Sequence, residues 1–229
     1  MAYIFIEFRF HRYPKQHLKE LRREVPKEFR EKSPPHMTLY GPSEMTSILG
    51  ALAAIERVGK RYTLVPFEVK DFAWFDGKKK RVVHAGIATS PELKKLRQEL
   101  AVELNKISLS NQCWDRDTSS SYKFHTTIAI IGHDHKDRDR KFNQIWHHLK
   151  TKEAPHIKQH LLRITVLNKD SKILREYDLV LKRWLNRRQA LSRHWWRRTI
   201  SKLRELQGLP LERQPSLMDW FRRIFKWPH

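Results

Sequence analysis

The chain has 229 residues and a mass of 27.7 kDa, the size of one ordinary domain with an appendage. Hydrophobic residues make up 39% and aromatics 11%, which excludes a wholly disordered chain, and a formal net charge of +22 predicts attraction to polyanions, nucleic acid first and an anionic membrane surface second. The one cysteine, Cys113, excludes a disulfide scaffold and a thiolate zinc cluster; it reads as a buried small hydrophobe in a reducing, cytoplasmic setting.

Met1 to Arg9 is too short and too charged for a secretory h-region. Met45 to Ile55 falls well short of the ~18 apolar residues a membrane span requires, so no transmembrane segment is expected. Tyr3 to Phe10 alternates from Ile6 onward and predicts a strand. Pro14 to Val25 places Leu18, Leu21 and Val25 at helical spacing. In Pro34-Pro35-His36-Met37-Thr38-Leu39-Tyr40-Gly41-Pro42 the prolines impose an extended chain that Gly-Pro is expected to end. Thr46 to Lys60 reads as a helix, and Tyr62 to Phe75 and Arg81 to Thr89 as strands paired around Asp76-Gly77-Lys78. Ser90-Pro91-Glu92 opens a helix running to about Ile107. A polar loop, Ser108 to Ser121, leads into the strand Tyr122 to Gly132. Asp137 to Lys150 reads as helical, and Leu161 to Asn168 with Ile173 to Lys182 as a closing hairpin around Asp170-Ser171.

Helices fall between strands, yet several strand pairs are joined by short turns, which predicts an α+β fold with antiparallel pairing rather than a doubly wound parallel sheet. After Lys182 the composition shifts. Residues 183–229 carry nine excess positive charges and four tryptophans from Trp195 onward. Two amphipathic helices are expected there, one through Leu191, Trp195, Trp196, Ile200, Leu203 and Leu206, the other through Leu217, Trp220, Phe221, Ile224 and Phe225. Residues 1–182 therefore read as the main α+β domain and 183–229 as a basic, aromatic-rich helical extension. So many aromatics must bury against something, and three destinations are open: docking on the domain or a second copy, contact with RNA, or an anionic membrane.

Of thirteen histidines, only His36 and His125 stand two residues before Ser or Thr, in His36-Met37-Thr38 and His125-Thr126-Thr127. Residues i and i+2 of a strand share a face, so each tripeptide aims an imidazole and a hydroxyl the same way. Two such strands side by side meet the needs of phosphoester cleavage: one imidazole to take a proton, one imidazolium to give a proton, and hydroxyls for the non-bridging oxygens. The motifs lie 89 residues apart, about half of the 182-residue core, which suggests two similar lobes.

On these residues, with the opening strand Tyr3-Ile4-Phe5-Ile6 and the closing Ile164-Thr165-Val166-Leu167 … Glu176-Tyr177 hairpin, the chain resembles the 2H phosphoesterases, and within them the 2′-5′ RNA ligase-like RNA 2′,3′-cyclic phosphodiesterases. The resemblance implies a bilobal fold, two antiparallel-rich sheets around a central cleft with helices outside, here with a C-terminal helical extension. It implies opening of a cyclic phosphate end on RNA, with 2′-5′ linkage cleavage or ligation as relatives of that reaction and no cofactor or metal. His36 would be the proton donor and His125 the proton acceptor, Thr38 and Thr127 would hold the phosphate, and Tyr40, Tyr122 and Lys123 would contact substrate. The chain departs from many members in having Ala129, Ile130 and Ile131 where a basic residue follows the second motif. The competing reading is a catalytically silent adaptor, RNA-binding or membrane-recruited, built on the same domain. His133, Asp134, His135 and Asp137 match no zinc or two-metal spacing, and Lys78-Lys79-Lys80-Arg81 reads as a hairpin tip as consistent with a solvated turn as with RNA contact.

Overall fold

The computed structural model describes residues 2–77, 79–109 and 122–209. Nine strands form two antiparallel sheets among these residues. The first, in the order β2-β1-β7-β8-β9, comprises β1 (Ala2–Arg9), β2 (His36–Met45), β7 (Arg163–Asn168), β8 (Ile173–Asp178) and β9 (Arg183–Asn186). The second, β5-β4-β3-β6, comprises β3 (Pro66–Asp76), β4 (Lys80–Thr89), β5 (His125–Gly132) and β6 (Ile157–His160). Helices α1 (Arg12–Arg23), α2 (Ile48–Gly59), α3 (Pro91–Asn105) and α4 (Arg138–Lys150) fall between strands, and α5 (Arg187–Ala190) and α6 (Arg193–Leu206) follow the last one. The fold is α+β with antiparallel pairing throughout.

Local chemistry explains the boundaries. Ser47 caps α2 by accepting from the Gly50 N–H at 3.0 Å, and Ser90 caps α3 by accepting from Leu93 N–H at 3.1 Å, with Pro91 in the first turn. Asn186 and Gln189 form a reciprocal capping box at the start of α5. One hydrophobic core takes side chains from both sheets, including Ile6, Phe8 and Val166 of the first and Phe67, Val83 and Ile128 of the second. Phe67 meets Phe8 edge-on at 5.3 Å, joining the sheets. Helix α2 closes on β8 at Gly59, where a Cβ would stand 2.5 Å from the Tyr177 ring, so only glycine permits this approach.

Three features differ from the expectations set by the sequence. Strand β2 does not stop at Gly41-Pro42 but runs to Met45: Gly41, at φ +83°, lies in an irregularity where Ile4 pairs with Ser43 and Ile6 already pairs with Tyr40. Strands β6 and β9 were not anticipated, because four residues carry too few alternations to show a period. The compositional border at Lys182 therefore falls just before a strand, and residues 183–186 extend the first sheet instead of opening a helix. The first extension helix is present as α6; the second, with Trp220, lies outside the described residues, as does Cys113.

Candidate active site

Both His-x-Thr motifs obey strand alternation. In β2, His36 and Thr38 are half-buried while Met37 and Leu39 are fully buried; in β5, His125 and Thr127 are half-buried while Thr126 and Ile128 are fully buried. Each histidine thus shares the open face of its strand with its threonine. Strands β2 and β5 approach one another although they belong to different sheets. The Tyr122 hydroxyl, just before β5, donates to the Thr38 carbonyl at 3.3 Å. From the other side, residues 30–31 pair with β5: Arg30 bridges Ala129, and the Glu31 N–H donates to the Ile128 carbonyl at 3.3 Å.

The buried guanidinium of Arg22 locks this arrangement. Its Nε and Nη2 donate to the Thr127 carbonyl at 3.0 and 2.7 Å, and its Nη1 donates to the Ser33 carbonyl and reaches the Glu31 carbonyl at 3.5 Å. One side chain thereby ties the second motif to the loop that delivers the first. Burial pulls the Arg22 pKa down to about 10, a cost offset by hydrogen bonds from each of its three nitrogens.

The two imidazoles are held alike. His36 Nδ1 lies 2.9 Å from the Pro34 carbonyl and 3.2 Å from Ser33 Oγ; His125 Nδ1 lies 3.1 Å from the Lys123 carbonyl. A carbonyl only accepts, so each Nδ1 carries hydrogen and Nε2 is the nitrogen left for a substrate. The surroundings differ beyond that. Behind His36 stands the Glu7 carboxylate, 3.9 Å from Nδ1 and itself paired with Arg9. Among the described residues no carboxylate pairs with His125, which packs against the rings of His84 at 4.9 Å and Phe75 at 5.2 Å. Burial holds the His125 pKa below its ordinary value; the Lys123 carbonyl partly opposes this, and the charge of His36 lowers it further. The two rings therefore lie in one electrostatic field, with His125 suited to the neutral state and His36 backed by a carboxylate.

Of the other residues expected to contact substrate, Tyr122 links the two motif strands through the Thr38 carbonyl, its ring 4.1 Å beneath the Arg97 guanidinium. Lys123 contributes its carbonyl to His125 and leaves its side chain exposed. Tyr40 is not brought to the site. A register shift after Thr38 sets Tyr40 opposite Ile6 on the core face, where it is 1% exposed and its hydroxyl donates to Asn105 Oδ1 at 2.8 Å. Three residues not anticipated as part of the site belong to it. Glu7 pairs across from Thr38, and its place in the alternation of β1 was the available signal. His84 pairs across from Thr127 and is kept neutral, its pKa pushed down to about 4 by burial and by His125. Arg22 gave no signal, since a charged residue on an amphipathic helix reads as surface. Among the described residues, no group of three or more His, Cys, Asp or Glu side chains is arranged to hold a metal ion.

The face carrying His36 continues into a buried polar row. Thr38, Glu7, Thr165 and Glu176 are successive register partners across β2, β1, β7 and β8. Thr165 donates to Glu176 at 2.9 Å, and Arg163, 2% exposed, pairs with Glu176 at 3.2 Å and Asp178 at 3.1 Å. Helix α6 closes over this end of the sheet. Thr199 hydrogen-bonds both Arg163 and Asp178, and the Trp196 ring covers the Arg163 guanidinium at 3.7 Å while stacking on His11 at 4.0 Å.

With this geometry in view, comparison with known proteins is decisive at the level of family: the family model described as the 2′-5′ RNA ligase superfamily matches residues 11–172. The chain belongs to the 2′-5′ RNA ligase superfamily. Both motifs of this superfamily member lie inside the matched span, whereas Glu7, Glu176, Asp178 and α6 lie outside it. No curated protein sequence matches the chain. Among solved structures, it is similar to Usb1 of Kluyveromyces marxianus with uridine monophosphate, at 10% identity and a TM-score of 0.46, with 72% of this chain and 92% of that one covered. A second structure of the same protein gives 10% identity and a TM-score of 0.45 over the same shares. Membership makes the chain an enzyme of RNA phosphodiester chemistry in the general sense. No helix among the described residues is long and apolar enough to cross a membrane.

Proposed function

We propose that this superfamily member is an RNA 2′,3′-cyclic phosphodiesterase that opens a cyclic phosphate end to a phosphomonoester. His125, neutral, takes a proton from water through Nε2 as the water oxygen bonds to phosphorus. His36, as the imidazolium, gives a proton to the ribose oxygen whose bond to phosphorus breaks. Thr38 and Thr127 donate to the non-bridging oxygens, where charge concentrates in the transition state. After one turnover His125 carries the proton and His36 lacks one, and exchange with solvent restores both. The two imidazoles supply both proton transfers, so the reaction has no step that calls for a metal.

The observation that supports this reading is the matched suspension of the two rings. Each Nδ1 is tied to the carbonyl two residues upstream, at 2.9 and 3.1 Å, and the charge of one ring depresses the pKa of the other. Two histidines serving only as packing residues have no reason to share that arrangement across two sheets.

The test is incubation of the purified chain with an RNA ending in 2′,3′-cyclic phosphate in excess chelator. The phosphomonoester is expected, with turnover falling by roughly 10²–10⁴ in His36→Ala or His125→Ala. RNA binding with no product, unchanged by either substitution, would leave the chain a silent adaptor and refute the proposal.

A further inference from the structure

A strongly basic depression of about 320 Å³ opens beside the first motif, lined by α1 and the loop Arg30 to Pro35 that ends at His36. Six cations line it: Lys15, Lys19, Arg22, Arg23, Arg30 and Lys32. Two have structural duties. Arg22 clamps the motifs, and Arg30 donates to the Val25 and Arg23 carbonyls at 2.6 Å each. The other four make no ion pair or side-chain hydrogen bond among the described residues. The single lining carboxylate, Glu31, accepts from the Ser33 N–H at 2.8 Å.

This crowding does not help the fold. Lys15, Lys19 and Arg23 follow at intervals of four along α1, about 6 Å per step, and like charges so placed destabilise a helix. Lys15 feels it directly: burial holds its ammonium below the ordinary lysine range, and the charges of Lys19 and Arg9 add to the effect. Arg9 is the register partner of His36 on β1. Arg9, paired with Glu7, and Lys15 therefore stand between the catalytic face and the cations Lys19, Arg23 and Lys32 of the depression.

We propose that this depression is a binding site for the phosphates of the RNA strand leading to the reacting end. The proposal rests on the RNA reading of the catalytic site and adds the path by which the strand leaves it. A row of cations with helical spacing in a concave surface suits a single extended strand with one charge per residue, contacted through its backbone and without base readout. A mononucleotide cyclic phosphate would fill the catalytic site and leave the depression empty.

The experiment compares the parent with Lys15→Gln/Lys19→Gln/Arg23→Gln/Lys32→Gln on two substrates, a nucleoside 2′,3′-cyclic monophosphate and a hexanucleotide ending in cyclic phosphate. The expected result is a KM for the hexanucleotide raised at least tenfold with kcat unchanged, and kcat/KM for the mononucleotide within twofold of the parent. If the quadruple variant fails to fold, Lys19→Gln/Arg23→Gln changes only two exposed side chains and is read the same way. Binding of a hexanucleotide with a plain 3′-hydroxyl end, followed by fluorescence anisotropy across salt concentrations, is independent of turnover. Loss of four contacts should reduce the slope of log K against log salt by about 2 to 3. An unchanged slope, equal losses on both substrates, or a loss confined to phosphatidylserine vesicle binding would overturn the proposal. A chain that turns over neither substrate yet shows the reduced slope would refute the catalytic reading and keep this one.

Discussion

Replacing Arg22 by Met tests whether one buried side chain aligns the two halves of the site. Methionine keeps an apolar stem in the space but removes the donors that reach the Thr127 and Ser33 carbonyls. Each buried carbonyl left without a donor costs ~1–3 kcal/mol. Relief from burying a guanidinium, whose pKa burial holds at about 10, offsets part of that cost. The net loss should be ~2–4 kcal/mol, a large fraction of the ~5–15 kcal/mol that stabilises a typical domain. Urea unfolding followed by tryptophan fluorescence measures it. The functional consequence is separate: without the clamp the Thr127 strand and the His36 loop lose their common anchor, and ~1 Å of misplacement is enough to lower kcat about 10²-fold. Turnover is therefore measured at a temperature where the variant is fully folded, and Arg22→Lys should recover part of it. An Arg22→Met chain as stable and as fast as the parent would refute the reasoning.

Two further predictions concern the contact between α6 and the first sheet. Thr199→Val removes a hydroxyl that accepts from Arg163 and donates to Asp178, both buried; it should cost ~1–3 kcal/mol in urea unfolding while Thr199→Ser costs much less, and equal stabilities would show the contact to be idle. His11, stacked on Trp196, has its pKa lowered to about 4 by burial, with the Arg9 carbonyl opposing and the charges of Arg163 and Arg12 adding to the shift. Between about pH 4 and 6.5 the unfolded chain binds a proton there that the folded chain does not, so stability should rise with pH across that window and level off above it. His11→Phe keeps the stack and should reduce the rise, leaving the share due to His84, whose pKa is also lowered to about 4, and to His125 and His160, which burial also holds below the ordinary value; an unchanged pH dependence would contradict the assignment.

Much of this architecture is legible in the sequence because the signals are local. Alternation marked β1, Ser90-Pro91-Glu92 marked the start of α3, and the spacing of His36 to Thr38 and His125 to Thr127 placed each pair on one face. The features that were hidden depend on partners far along the chain. Tyr40 stands at the right interval to share the face of Thr38, but the register against β1 slips between them and turns the ring into the core. Glu7 and His84 acquire meaning only through the strands that pair with Thr38 and Thr127. Arg22 sits on a helix rich in Lys and Arg, where burial could be recognised only once β5 lay against it. Likewise Arg163, Glu176 and Asp178 are ordinary strand charges until α6 covers them.

The central claim is that His125 and His36 act on one phosphate as base and acid. The dependence of kcat/KM on pH, in the parent and in each histidine variant, tests it most directly. The account predicts a bell for the parent, with activity falling on the acid side as His125 takes up a proton below its ordinary pH. That acid limb should vanish from the residual activity of His125→Ala, and the alkaline limb from that of His36→Ala. A bell that survives intact in either variant would contradict it.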